Sequence, residues 1–242
     1  MQRPLIIALD LDNAEKRKEL LAAFKEEKLY LKVGMEMFYR EGAQAIHELK
    51  EQGHSIFLDI KLHDIPNTVK RAMKVLAGLG IDMINVHAAG GKEMMKAALE
   101  GLEAGTKAGS VRPKLIAVTQ LTSTDQAMLK DELCIWEPLE DVVIHYAKQA
   151  QEAGLDGVVC SAKEVPLIRG YCGQDFLTVT PGIRQASDDV ADQKRVVTPE
   201  AARELGSYAI VVGRSITTSE TPYQTYQTMK AKWEGNHEKT NC

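Results

Sequence analysis

Asp59, Lys61 and Asp64 are the residues of this chain whose types and spacing could do chemistry. They lie in the run Asp59-Ile60-Lys61-Leu62-His63-Asp64. Two carboxylates flanking one ammonium look like a proton-transfer site. The run follows Ser55-Ile56-Phe57-Leu58, which is apolar and β-capable, so it is expected at the carboxyl end of a strand. Side chains two apart on a strand point the same way. Asp59 and Lys61 should therefore share one side, with Leu58, Ile60 and Leu62 on the other. Asp64 follows as the strand breaks toward Pro66. Burying an acid beside a base is costly unless each has a partner. Spacing alone leaves two readings, a proton-transfer site and a buried structural salt bridge, because ion-pair networks also perturb pKa values.

The elements that must position these groups are legible as alternating runs. Strands are predicted at 5–10, 29–33, 55–60, 83–87, 115–119, 157–160, 177–180 and 209–213. Most are continuous apolar runs, as expected for strands of a parallel sheet buried on both faces. Amphipathic helical stretches lie between them at 15–25, 36–52, 67–79, 92–102, 139–152 and 199–204. Gly53, Gly80, Gly154 and Gly206 stand just past helix ends. The repeat predicts a single-domain α/β fold, a (β/α)8 TIM barrel, over residues 1–233, with a polar tail at 234–242. A doubly wound open sheet is the alternative.

Barrel active sites lie at the carboxyl ends of the strands. There the chain places Asp10, Lys32, the Asp59–Asp64 run, Asn85 and His87, then Thr119, Gln120 and Thr122. The seventh strand opens into Thr180-Pro181-Gly182-Ile183-Arg184 and the eighth into Gly213-Arg214-Ser215-Ile216. Barrel phosphate sites commonly use these two loops. Each supplies a glycine for close backbone approach and an arginine for bidentate oxygen contact. A phosphate-bearing substrate is expected, against the plainer reading of two surface arginines in turns. The stretch from Gly182 to Arg195 is long for such a loop and polar, and a lid whose Gln193 reaches the phosphate is expected there.

Composition sets the remaining bounds. The 242 residues are 44% hydrophobic and 26% charged, enough apolar material for a large core. A net charge of −4 gives no global attraction to nucleic acid. The cysteines at 134, 160, 172 and 242 form no C-x-x-C pair and read as free thiols in a reducing compartment, Cys160 as a core residue. No signal-peptide pattern and no apolar run near membrane-spanning length is seen, so a soluble, cytoplasmic protein without membrane contact is expected. His63 and His87 read as structural, and His47, His54, His145 and His237 suggest no catalysis. No grouping has convincing metal-ligand spacing, although Asp-x-Lys-x-x-Asp could offer a carboxylate to Mg²⁺.

These residues resemble the orotidine 5′-phosphate decarboxylase family, in its bacterial branch. The resemblance rests on Asp59-Ile60-Lys61-Leu62-His63-Asp64-Ile65-Pro66 and covers essentially the whole chain. It takes in Ala8-Leu9-Asp10, Lys32-Val33-Gly34, Asn85-Val86-His87-Ala88 and Val118-Thr119-Gln120-Leu121-Thr122-Ser123. It extends through Thr180-Pro181-Gly182-Ile183-Arg184, Asp192-Gln193-Lys194-Arg195 and Val212-Gly213-Arg214. The resemblance implies a (β/α)8 homodimer that converts orotidine 5′-monophosphate to uridine 5′-monophosphate (UMP), without metal or organic cofactor. It implies Lys61 as proton donor to C6 of the pyrimidine and Asp59 as the carboxylate facing the leaving CO₂. Lys32 would order the charges and contact the ribose, and Asp10 would bind a ribose hydroxyl. Asp64 and Thr68 would reach the partner's site across the dimer. Thr122 would touch substrate, Pro181 would line the base pocket, and Arg184, Gln193, Gly213 and Arg214 would grip the phosphate. Two other readings are weighed: a Mg²⁺-dependent sugar-phosphate lyase of the same superfamily, and a catalytically silent nucleotide-binding barrel.

Overall fold

The computed structural model describes residues 3–25, 27–184 and 196–236. Eight parallel strands close into a barrel in sequence order. They are β1 (Leu5–Ala8), β2 (Tyr30–Gly34), β3 (Ser55–Leu62), β4 (Met83–His87), β5 (Lys114–Val118), β6 (Gly157–Val159), β7 (Leu177–Thr180) and β8 (Ala209–Val212). The ring closes where β1 pairs with β8, Leu5 against Ile210 and Ile7 against Val212. The barrel, not the open sheet, is therefore the fold.

Alternation along each strand divides the core in two. Ile6, Ala8, Phe57, Met83, Ile116, Val179, Ala209 and Val211 form one buried cluster, in the barrel interior. Their neighbours, such as Ile7, Leu31, Leu58, Ile84 and Leu115, belong to a larger cluster between sheet and helices. Both faces of each strand are thus apolar, which is why the sequence shows continuous runs rather than alternation.

The helices are α1 (Ala14–Ala22), α2 (Met35–Glu51), α3 (Pro66–Ala77), α4 (Gly91–Gly105), α5 (Gln126–Asp131), α6 (Leu139–Glu152), α7 (Val165–Cys172), α8 (Pro199–Glu204), α9 (Arg214–Thr217) and α10 (Pro222–Glu234). Asn13 begins α1 by accepting the Lys16 backbone N–H at 2.9 Å, and Asp125 begins α5 through the Met128 N–H at 3.0 Å. Gly53, Gly80, Gly154 and Gly206 all have positive φ, as expected of residues that end helices. No helix among the described residues is long and apolar enough to cross a membrane.

One strand departs from the regular pattern. β3 does not stop at Ile60 as expected but runs to Leu62. Leu58 pairs with Ile84 and Leu62 with Val86, so β3 advances four residues while β4 advances two. A bulge of this kind re-aims side chains at the rim of a barrel. It falls on Asp59, Ile60 and Lys61.

Candidate active site at the mouth of the barrel

The strand ends converge on a cavity of about 440 Å³, in the size range of small-ligand sites. Asp10, Lys32, Asp59, Lys61, Thr122, Pro181, Arg184, Gly213 and Arg214 all line it, as their places in the sequence predict. Phe57, Val118, Val159, Cys160 and Val211 supply apolar wall. Cys160 is buried as expected, but it borders this cavity as well as the core.

A chain of alternating charge crosses the floor. Lys32 Nζ lies 3.1 Å from Asp10 Oδ1 and 3.3 Å from Asp59 Oδ2. Lys61 Nζ donates to Asp59 Oδ1 at 2.7 Å. Burial alone would lower the Lys32 pKa, but Asp59 and Asp10 more than reverse this and hold it above the usual lysine range. Burial alone would raise the Asp59 pKa. Lys32 and Lys61, with hydrogen bonds from Lys61 and Asn85, outweigh it and hold the carboxyl below its usual range. Both groups therefore keep their charge through neutral pH.

Space for this array is made by Gly34 at the end of β2. A Cβ there would stand 3.1 Å from Asp10 Oδ1 and 3.4 Å from Lys32 Nζ. Across the cavity Arg184 is buried, and its Nη1 donates to the Ile183 carbonyl at 3.1 Å. Arg214 stands at the start of α9. A Cβ on Gly213 would stand 3.7 Å from that of Ala8, so the described residues leave open space beside this glycine. Among the described residues four cations and two carboxylates line this cavity, although the whole chain carries net charge −4. The mouth of the barrel thus suits an anion.

Three expectations meet the structure differently. Lys61 sits beside Asp59, but not through plain strand alternation. Its φ of 49° lies in the left-handed region, outside extended backbone, and the bulge brings its ammonium back to Asp59. Asp64 does not flank Lys61 within the chain. It is exposed, and its Oδ1 accepts the Ile65 backbone N–H at 2.6 Å, so the array contains one carboxylate against Lys61 rather than two. Thr68 is likewise exposed on α3, and neither residue lines the cavity. Gln193 and the expected lid core, 185–195, lie outside the described residues. The two flanks of that segment are tied together. Arg184 N–H donates to the Val197 carbonyl at 3.1 Å, and Val197 N–H donates to that of Gly182 at 3.2 Å.

Sequence reasoning placed Asn85 at a strand end but gave it no part in the site. It is fully buried, and its amide hydrogen-bonds both Asp59 and the Lys61 backbone. The signal was available: an amide in the apolar run Met83-Ile84-Asn85-Val86 needs internal partners. His63 and His87 pack with ring centroids 5.7 Å apart. Burial, then the nearby His63 and Lys61 charges, hold the His87 pKa below its usual value. Among the described residues no group of three or more His, Cys, Asp or Glu side chains could hold a metal.

Fold and site together define a TIM barrel with an ionic array and an anion-ready mouth at the carboxyl ends of its strands. Residues 3–229 match the sequence model of the orotidine 5′-phosphate decarboxylase / HUMPS family, and the chain belongs to that family. An orotidine 5′-phosphate decarboxylase of Shouchella clausii is 62% identical over 97% of this chain and 98% of its own length. One from Bacillus cytotoxicus is 61% identical over 97% and 99%. The crystal structure of the Lactobacillus acidophilus orotidine 5′-phosphate decarboxylase superposes with a TM-score of 0.86, at 46% identity over 96% of this chain and 99% of that one. The Pyrococcus horikoshii enzyme, at 21% identity and a TM-score of 0.73, shares the fold.

Proposed function

We propose that the Lys32–Asp59–Lys61 array carries out the family's carboxy-lyase reaction, converting orotidine 5′-monophosphate to UMP in pyrimidine biosynthesis. The activity itself is supported by curated decarboxylases of 61–62% identity over nearly the full chain. The observation that carries the residue roles is Lys61 Nζ held 2.7 Å from a buried Asp59 at the cavity floor.

The chemistry explains the arrangement. Breaking the C6–carboxylate bond releases CO₂ and leaves the electron pair on C6, which has no adjacent carbonyl to take it. The site must stabilise that charge directly and then protonate it. The Lys61 ammonium does both, giving its proton to C6 and regaining one from water. Asp59 faces the substrate carboxylate and the leaving CO₂. Lys32 and Asp10 hold the ribose, and Thr122 and Pro181 border the base. Arg184, Gly213, Arg214 and Gln193 take the phosphate. Binding energy from this non-reacting group orders the reacting centre.

The reading extends to assembly and place. Asp64 and Thr68 are exposed beside Ile65, itself 66% exposed, and we infer a homodimer in which they complete the partner's site. The unbridged thiols of Cys134 and Cys172 fit the cytoplasm.

The deciding experiment adds purified protein to orotidine 5′-monophosphate in the presence of EDTA and follows the substrate's absorbance band. Steady loss of the band with UMP formed is expected. Turnover that stops with EDTA and returns with Mg²⁺ on a sugar phosphate would give the site to the metal-dependent lyase. Bound UMP without turnover of either would leave a silent barrel.

A further inference from the structure

We propose that Asn85 is a positioning residue for this reaction, its buried amide fixing Asp59 and Lys61 relative to one another. The inference rests on the decarboxylase reading above.

The side chain ties the two sides of the bulge. Asn85 Oδ1 accepts the Lys61 backbone N–H at 2.8 Å, and Asn85 Nδ2 donates to Asp59 Oδ1 at 2.7 Å. A bulge leaves an extra residue unpaired in the strand ladder, and here the amide oxygen takes its N–H. Lys61 is held at φ 49°, a conformation that side-chain-bearing residues adopt only when their surroundings over-determine it. The Asn85 amide is one of the contacts that hold Lys61 there, together with the Asp59 ion pair and the Leu62–Val86 pairing.

The same amide limits Asp59. Oδ1 of that carboxylate receives both the Lys61 ammonium and the Asn85 N–H, and Oδ2 faces Lys32 at 3.3 Å. Rotation of the carboxylate would lose all three at once. The reverse orientation of the Asn85 amide would set its NH₂ against the Lys61 N–H and its oxygen against a carboxylate. One orientation satisfies both partners. Asn85 has no accessible surface and does not line the cavity, so it acts on substrate only through the two residues it holds.

The chemistry of the position explains the residue. The site needs one acceptor and one donor on a short side chain. An aliphatic residue offers neither. An ionised carboxyl accepts the Lys61 N–H but puts a like charge against Asp59. A protonated carboxyl offers an acceptor and a donor, as the amide does. Burial and the Asp59 charge would raise the pKa of a carboxyl introduced there.

The test compares wild type, Asn85→Ala and Asn85→Asp for kcat, for KM and for UMP affinity between about pH 5 and about pH 8, with circular dichroism to establish folding. Asn85→Ala is expected to lose about 10²-fold in kcat, the scale of a small misplacement, while UMP affinity stays within about threefold. Asn85→Asp is expected to approach wild-type kcat as pH falls and to lose activity as pH rises. Wild-type kcat in Asn85→Ala would overturn the proposal. If Asn85→Ala does not fold, the Asn85→Asp profile decides, and a deficit equal at every pH overturns it. Turnover by the wild type with an unimpaired Asn85→Ala strikes down the positioning role alone. Absence of wild-type turnover strikes down the decarboxylase reading.

Discussion

Lys32 stands between Asp10 and Asp59, and Asp59 stands between Lys32 and Lys61. Each buried charge has an opposite neighbour, which is the condition for keeping it ionised away from water. The pH behaviour follows from the two shifts. The folded pKa of Asp59 lies below the value of about 3.9 for an unpaired aspartate, so its stabilising contribution is present above that value and lost as pH falls through the folded one. The folded pKa of Lys32 lies above about 10.4, so its contribution is present below that value and lost as pH rises through the folded one. Neither charge changes between about pH 5 and about pH 9. Thermal melts of wild type and Asp59→Asn, taken from neutral pH down to about pH 3, report on this directly. The wild-type melting temperature should fall relative to that of the variant as acid protonates Asp59. A difference that stays constant would mean that Asp59 is not held ionised by its neighbours.

Helices α3 and α4 are packed backbone to backbone through two glycines. A Cβ at Gly101 would stand 2.2 Å from the Lys70 carbonyl oxygen, and one at Gly105 2.1 Å from that of Lys74. The obstacle is backbone, which cannot swing aside like a side-chain tip. Gly101→Ala gains about 1 kcal/mol of helix propensity but forces the helices apart, at about 1–3 kcal/mol for overpacking. The clash should win because it falls well inside contact distance. The melting temperature should drop, by about 2–4 °C for each kcal/mol lost in a chain of this size. An unchanged or raised value would show that the helices part freely. The strands were readable in the sequence because apolar runs bounded by polar turns and glycines carry their own punctuation. Helices α5, α7 and α10 were not. α5 is only six residues long, α7 has Gly170 within it, and α10 buries only Tyr226, Met229 and Trp233 in an otherwise polar stretch. The bulge at Lys61 was equally invisible, because it depends on pairing with β4 and on the amide of Asn85. Residue types therefore located the lining of the cavity, whereas the bulge and the amide contacts that set its charges together came from residues distant in sequence.

At the scale of the molecule, two polar candidates among the described residues stand outside the cavity of their own chain. Asp64 lies beyond the end of β3 and Thr68 in the first turn of α3, both exposed. In the proposed dimer each such residue reaches the other chain's site, and two-fold symmetry makes the exchange reciprocal. Lys61 and Asp64 would then serve different sites although only two residues separate them. This is testable without a structure of the dimer. Lys61→Ala and Asp64→Ala should each abolish nearly all turnover alone. After unfolding together and refolding, half of the dimers pair one of each variant. In such a hybrid one site has lost both residues and the other has kept both. Activity should return to about a quarter of the wild-type value per chain, as random pairing in a symmetric dimer requires. Light scattering on the same samples checks that dimers have formed. A mixture as inactive as its components, at dimer mass, would place Lys61 and Asp64 in the same site. Asp64 would then have to move from its exposed position toward its own Lys61 when substrate binds.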